Sequence, residues 1–352
     1  MRLAFLTSTP PSPTEGSGTF VALDGLLRGL HQLGHEAALR PLSHRTRFHT
    51  FDRWLYNAQA ALTPPAADVV VGVDLDGFLW ARRRQRPPFV VALKGIIADE
   101  LKNERGHVRW LLTLQARWEC ANCVRADRIV VPSQYSAAVA ADVYAVPAAK
   151  IAVVPEPIDL GAWRRLFASV TADPASRPTV LAVARMYPRK RLDDLITAAV
   201  RLRGRIPGVQ VRIVGDGPES ARLRALARRL ALDETVVFVG EVSRLALAVE
   251  YGGAHCFCLP SVQEGFGIVF AEAMAAGLPI VACRVAAVPE VVPDGRVGLL
   301  VAPRSPDELA AALETLLNDE KLRRELGEEG RRRVEAFDLV RVAQSFLEAL
   351  PA

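Results

Sequence analysis

Two glutamates, Glu264 and Glu272, bracket a pair of glycines in LPSVQEGFGIVFAEAMAAGLPIVA, residues 259–282. An ionised carboxylate only accepts hydrogen bonds, so both side chains suit sugar hydroxyls. Gly265 and Gly267 allow backbone N–H groups to approach a ligand closely. The helix that should begin near Gly267 offers its N-terminus to an anion. One loop-helix unit can thus serve hexose, phosphate and ribose together. An ordinary strand-loop-helix with two solvated glutamates has the same spacing. Upstream, VLAVARMYPRKRLDD, residues 180–194, puts Arg185 behind an apolar run and Lys190 near the start of the next helix. A bidentate guanidinium beside a point-charge ammonium is a phosphate clamp. A pair of surface cations is the plainer alternative.

Both groups need elements to aim them. Short, nearly continuous apolar runs alternate with stretches of helical period. In the first half they are LAFLT, VVVG, FVVAL and RIVVP, near residues 5, 71, 91 and 130. In the second half they are VLAVA, VRIVG, VVFVG, HCFCL, PIVAC and VGLLV, near residues 182, 213, 238, 257, 281 and 299. Runs of this kind are strands buried on both faces of a parallel sheet, joined by helical crossovers. Two series in one chain predict an α/β protein of two Rossmann-like, doubly wound domains. The expected limits are 1–165 and 166–336, with an amphipathic helix at 337–352 packing back on the first domain. PEPIDLGAW at 155–163 and TADPASRP at 171–178 carry linker chemistry. Open parallel sheets bind ligands beyond the carboxyl ends of their strands, and two facing sheets would share one cleft there.

Composition agrees. At 352 residues, 50% hydrophobic and 7% aromatic, the chain has the size for two cored domains and not the make-up of a disulfide or all-β scaffold. RLAFLT reads at once as a strand, so no signal peptide is expected. No apolar run reaches the length of about 18 residues that a membrane span needs. Five cysteines, an odd number thinly spread, point to reduced thiols and a cytoplasmic location. The net charge is +5. Residues 1–165 carry 20 Lys/Arg against 15 Asp/Glu and the remainder 24 against 24, so the first half holds the excess. It fits an anionic partner, such as the inner face of a membrane, or a solvated surface.

The Arg185–Lys190 and Glu264–Glu272 blocks, in this order, resemble the retaining glycosyltransferases of the GT-B fold, in particular glycosyltransferase family 4. The likeness covers nearly the whole chain and is strongest over 178–303. It includes VRIVGDGPE at 211–219, VVFVGEVS at 236–243 and VPEVVPDGRVGLLV at 288–301. GSGTF at 16–20, ADRIVVPS at 126–133 and KIAVVPEPID at 150–159 fit less tightly. The resemblance implies a nucleotide-diphosphate sugar as donor, no cofactor and no metal. Arg185 and Lys190 would bind the diphosphate and stabilise the leaving group. Glu264 would accept from donor sugar hydroxyls, with Gly265, Phe266 and Gly267 offering amides. Glu272 would hold the ribose, and Glu241 and Val242 would touch the base. Gly16 and Gly18, in a loop opening a helix from Phe20, would face the phosphates. The same fold also carries phosphorylases, epimerases and inactive nucleotide-sugar-binding relatives.

Several positions depart from the family pattern. Lys94 in VVALKG stands where a histidine that contacts the donor sugar is usual; it would suit a carboxylate-bearing sugar, or contact phosphate. Ala184 replaces a glycine before Arg185, Ala286 and Ala287 replace a glycine pair, and Glu156–Pro157 replaces Asn–Gly.

Other signals carry less. Asp74-x-Asp76 after a strand looks like the metal motif of the GT-A fold, but leaves the two blocks above unexplained. EGSGTF lacks the third glycine of a dinucleotide loop, and GDGP has no following Lys-Ser/Thr. Cys120 and Cys123 form a CxxC without a second pair, so helix packing is expected and not zinc. HRTRFHTFDRWLYNAQAAL at 44–62 mixes cations with Phe48, Phe51, Trp54 and Tyr56, and Arg82, Arg83, Arg84 and Arg86 follow. This is interfacial chemistry, or simply a helix and loop on the first domain. No nucleic-acid module accompanies the charge. The acceptor is left open; a lipid-linked or anionic one, reached by peripheral membrane contact, fits the first domain.

Overall fold

The computed structural model describes residues 1–9, 13–42, 46, 49–103, 106–170 and 177–351, with the backbone alone for 13–17 and 49. Phe48 and residues 171–176 of the expected linker lie outside these.

The chain forms two compact units. The first is Met1–Pro157 with Asp338–Ala352, the second Ile158–Phe337. The division falls earlier than the expected 165/166. The helix Leu160–Ser169 buries Trp163 in the second unit's core, where its ring meets Tyr251 edge-on at 5.6 Å.

The first unit holds β1 (Arg2–Thr7), β2 (Glu36–Pro41), β3 (Val69–Val73), β4 (Phe89–Ala92), β5 (Arg128–Val131) and β6 (Ile151–Val153). They form one sheet in the order β2-β1-β3-β4-β5-β6, parallel throughout. Period-2 alternation inside the apolar runs splits the side chains between two cores. Phe5, Val71 and Val90 pack with Leu23, Leu26 and Leu30 of the helix Pro13–Gln32. Leu6, Val70, Phe89 and Val91 pack on the other face with Tyr56 and Trp80. The helix Leu339–Glu348 adds Val342, Ala343 and Phe346 to the first of these cores. It approaches the helix Pro13–Gln32 so closely that a Cβ on Gly29 would stand 2.3 Å from the Leu339 carbonyl oxygen.

The second unit holds β7 (Thr179–Val183), β8 (Gln210–Val214), β9 (Val236–Gly240), β10 (Cys256–Leu259), β11 (Ile280–Cys283) and β12 (Gly298–Val301). Their order is β12-β11-β10-β7-β8-β9, again parallel. Strand order reverses between β7 and β10, the switch point at which doubly wound sheets take their ligands. The Arg185–Lys190 block follows β7, and the Glu264–Glu272 block follows β10.

Candidate active site

β7 runs into Arg185 and a single 3₁₀ turn, Pro188–Lys190. Arg191 ends the turn in the left-handed region, φ 50° and ψ 38°. Its guanidinium grips Asp194 with bonds of 2.9 and 2.6 Å, which anchors the start of the helix Leu192–Arg205. The GDGP turn supports Arg185 from the side. Gly215 has φ 111°, and a Cβ there would stand 2.2 Å from the Ala184 carbonyl oxygen; only glycine permits both. Met186 N–H then donates to Asp216 at 2.9 Å, and Glu219 N–H to Met186 at 3.0 Å. Arg185 is exposed, with its guanidinium 5.7 Å from the Tyr187 ring centre.

The loop after β10 is tied to this turn by a bond from Val262 N–H to the Arg189 carbonyl, 2.9 Å. That contact brings Lys190 Nζ to Glu264 Oε1 at 2.5 Å. The two side chains are 13% and 7% exposed. Arg189 Nη1 stands 4.0 Å from Glu264 Oε2. Burial alone would raise the Glu264 carboxyl, but Lys190 and Arg189 hold it below its ordinary value. It therefore stays an acceptor. Gly267 caps the helix Ile268–Ala276 at φ 86°, and Phe266 is buried with its ring edge-on to Phe337 at 5.0 Å. Ala287 N–H donates to the Glu264 carbonyl at 3.3 Å. Its neighbour Ala286 holds a left-handed backbone, φ 49°, although the glycine expected there is absent.

Glu272 lies on the helix Ile268–Ala276 and accepts from the Tyr251 hydroxyl at 3.0 Å. Burial pushes its carboxyl up to about 7, against the pull of that bond and of Arg244. Glu241 is exposed and Val242 half-buried in the loop after β9. Ser243 in that loop caps the helix Arg244–Gly253, and the Arg244 guanidinium lies 5.2 Å from the Trp163 ring centre. Sequence reasoning did not single out Arg189, Tyr251 or Arg244.

The expected residues of the first unit are placed differently. Gly16 and Gly18 lie within the helix Pro13–Gln32 and not in a loop before Phe20. Lys94 follows β4, and its ammonium contacts Glu156 at 2.7 Å instead of standing open for an anion. Asp76 accepts from Ser8 N–H at 2.5 Å, Ser8 Oγ at 2.8 Å and Asn57 at 3.0 Å. Asp74 accepts from Lys94 N–H at 2.7 Å. The Asp74-x-Asp76 motif thus joins loops beyond the strands of the first sheet. Burial raises both carboxyls, Asp74 to about 6. Cys120 and Cys123 are free thiols on the helix Gly106–Arg125.

Two doubly wound parallel sheets, with cations after β7 and carboxylates after β10, define a protein of the GT-B fold. Residues 16–162 match the family model Glycosyltransferase Family 4, and residues 166–333 match Glycosyl transferases group 1. The chain belongs to glycosyltransferase family 4. It is 35% identical over 209 residues to a GDP-mannose-dependent alpha-(1-6)-phosphatidylinositol monomannoside mannosyltransferase of Mycobacterium tuberculosis, covering 54% of this chain and 52% of that protein. It is 34% identical over 241 residues to a D-inositol 3-phosphate glycosyltransferase of Kribbella flavida, covering 64% and 56%. The chain thus spans about half the length of the curated relatives it matches. Among solved structures, sucrose-phosphate synthase from Thermosynechococcus elongatus superposes with a TM-score of 0.81 at 22% identity, over 99% of this chain and 97% of that one. A structure of Anabaena HepE in complex with UDP gives 0.76 at 20% identity, over 99% of each chain.

Proposed function

We propose that the chain transfers a sugar, with retention of its anomeric configuration, from a nucleoside-diphosphate sugar to an acceptor hydroxyl. The observation that carries this is the Lys190–Glu264 pair at the β7/β10 switch point, at 2.5 Å. In this reading Arg185 and Lys190 face the diphosphate and neutralise the charge that develops as the sugar–phosphate bond breaks. Glu264, held ionised, accepts from sugar hydroxyls. Glu272 accepts from the ribose, with the Tyr251 hydroxyl fixing its position. The names of the relatives support an activated-sugar donor: one is GDP-mannose-dependent.

Products formed from UDP- or GDP-sugars with inositol phosphate or a lipid-linked acceptor, with the new anomeric proton read by NMR, test the reaction. Retained configuration is expected. Inversion would sink the retaining assignment, and binding without transfer would leave a nucleotide-sugar-binding relative. The cationic clamp needs no bridging ion, so activity should survive excess EDTA. Loss on chelation, restored by Mn²⁺, would shift the diphosphate site to Asp74 and Asp76.

A second reading concerns where the acceptor lies. Phe51, Trp54 and Leu62 of the helix His49–Leu62 are 51%, 44% and 81% exposed, and Trp110 is 69% exposed. Arg53 and Thr50 bond Gln115 at 3.0 and 2.8 Å, which ties that helix to Gly106–Arg125, the helix bearing Trp110. Arg82, Arg83 and Arg84 are exposed nearby, Arg83 bonding the Ala61 carbonyl at 2.9 Å. Arg86 is not part of this group, because Asp127 takes its guanidinium at 2.6 Å. Exposed aromatics beside cations suit an anionic bilayer surface, where each cation contributes about 1 kcal/mol. Sedimentation with anionic liposomes should fall with salt and on changing Arg82, Arg83 and Arg84 to Gln. Absence of binding at low salt would leave a soluble acceptor.

A further inference from the structure

Lys94 follows β4 and Glu156 follows β6, with β5 between those strands, at the carboxyl edge of the first sheet. Lys94 Nζ lies 2.7 Å from Glu156 Oε2, and the side chains are 11% and 7% exposed. Both backbones are constrained. Lys94 N–H donates to Asp74 Oδ1 at 2.7 Å, and Asp74 itself holds a left-handed backbone at φ 54°. Glu156 sits between Pro155 and Pro157, whose ring packs against Gly25, 3.2 Å from where a Cβ would stand. Among the described residues no other hydrogen bond or ion pair engages the ammonium or the carboxylate. An ammonium has three donors and a carboxylate about four acceptor sites, so one shared bond leaves most of each unused. The pair is weak evidence for stability, since apolar side chains of similar volume often serve a buried site as well. Strained backbone such as that of Asp74 gathers at functional sites.

We propose that Lys94 and Glu156 form a donor–acceptor dyad that reads a hydroxyl of an uncharged sugar or polyol and rejects a carboxylate in the same place. Alone, Lys94 would draw an anion. Glu156 cancels that charge and supplies an acceptor beside the donor, which matches a hydroxyl, itself both donor and acceptor. A uronate carboxylate or a phosphate would stand against Glu156, a like-charge contact; Glu264 of the Lys190 pair has Arg189 as a second cation at 4.0 Å, whereas among the described residues Glu156 has Lys94 alone. This replaces the expectation that Lys94 suits a carboxylate-bearing sugar, and it rests on the sugar-transfer reading above. The hydroxyl belongs either to the donor sugar or to the acceptor ring.

The experiment uses the full chain and has two arms. The first compares UDP-glucose with UDP-glucuronate, and GDP-mannose with GDP-mannuronate, each referenced to the free diphosphate, by calorimetry. The second compares glucose with glucuronate in the presence of the diphosphate, by saturation-transfer NMR. Wild type should favour the neutral ligand. Glu156→Gln should shift the neutral-to-uronate ratio towards the uronate on the order of tenfold in one arm, which also identifies the source of the hydroxyl. The double exchange Lys94→Glu with Glu156→Lys keeps a neutral dyad and should keep the preference, which separates recognition from misfolding. A ratio unmoved in both arms, with the free diphosphate still bound, overturns the dyad alone. A wild type that binds neither UDP nor GDP overturns the transfer reading and the dyad with it.

Discussion

Glu272 gives the second unit a pH signature. Its carboxyl is raised from 4.5 to about 7 by burial, and an acceptor for ribose hydroxyls is strongest when ionised. Nucleotide affinity should therefore rise as pH climbs through about 7, and Glu272→Gln should flatten that rise. Calorimetric titrations of GDP or UDP on both sides of neutrality check this; equal slopes in the two proteins would assign the effect to the phosphate. Stability runs the other way. The folded state keeps this proton up to about 7, while the unfolded chain releases it near 4.5. The contribution is full below that value and is lost as pH rises through the window. At this scale Arg185, Lys190, Glu264 and Glu272 stood out in the sequence by charge type and spacing, which solvated glutamates and surface cations share, and the structure brings Lys190 to Glu264. Arg189, Tyr251 and Arg244 did not. Their places beside Glu264 and Glu272 come from β7 lying beside β10 and from the packing of the helix Arg244–Gly253, which no local pattern records.

Among elements, the turn Gly215–Glu219 fixes the position of Arg185. Gly215→Ala would force a Cβ into the Ala184 carbonyl oxygen at 2.2 Å while holding φ at 111°. The expected cost is about 1–3 kcal/mol, with diphosphate affinity falling together with the melting temperature. A variant as stable and as tightly binding as wild type would show that the turn does not support the clamp. All six strands of the second sheet were visible as apolar runs, even the edge strand β9, which is mostly half-buried. β2 and β6 were not, because β2 is largely exposed and β6 spans Ile151–Val153 alone. The glycines of GSGTF read as a loop by composition, yet the helix Pro13–Gln32 runs through them. Glycine lowers helix propensity by about 1 kcal/mol without forbidding the helix.

At the scale of the whole molecule, the chain leaves its first unit at Pro157 and returns to it at Asp338. Removal of residues 338–352 should therefore weaken the first unit, by stripping Val342, Ala343 and Phe346 from its core. At about 1.5–3 kcal/mol per fully buried large apolar side chain, the loss should appear as an earlier melting transition. An unchanged melt would mean that the terminal helix contributes little. The two-unit organisation was legible in the two series of apolar runs. The exact seam was not, because the Pro-rich segment around Ile158 and the helix after it both look like linker until Trp163 is seen in the second core. The central claim is that the Lys190–Glu264 pair marks a nucleoside-diphosphate site, and calorimetric titration of UDP and GDP into wild type, Arg185→Ala and Lys190→Ala tests it most directly. Wild type should bind one of the two at a single site, and each substitution should weaken it by on the order of 2–5 kcal/mol. Binding of equal strength in all three proteins, or of neither nucleotide to wild type, would contradict it.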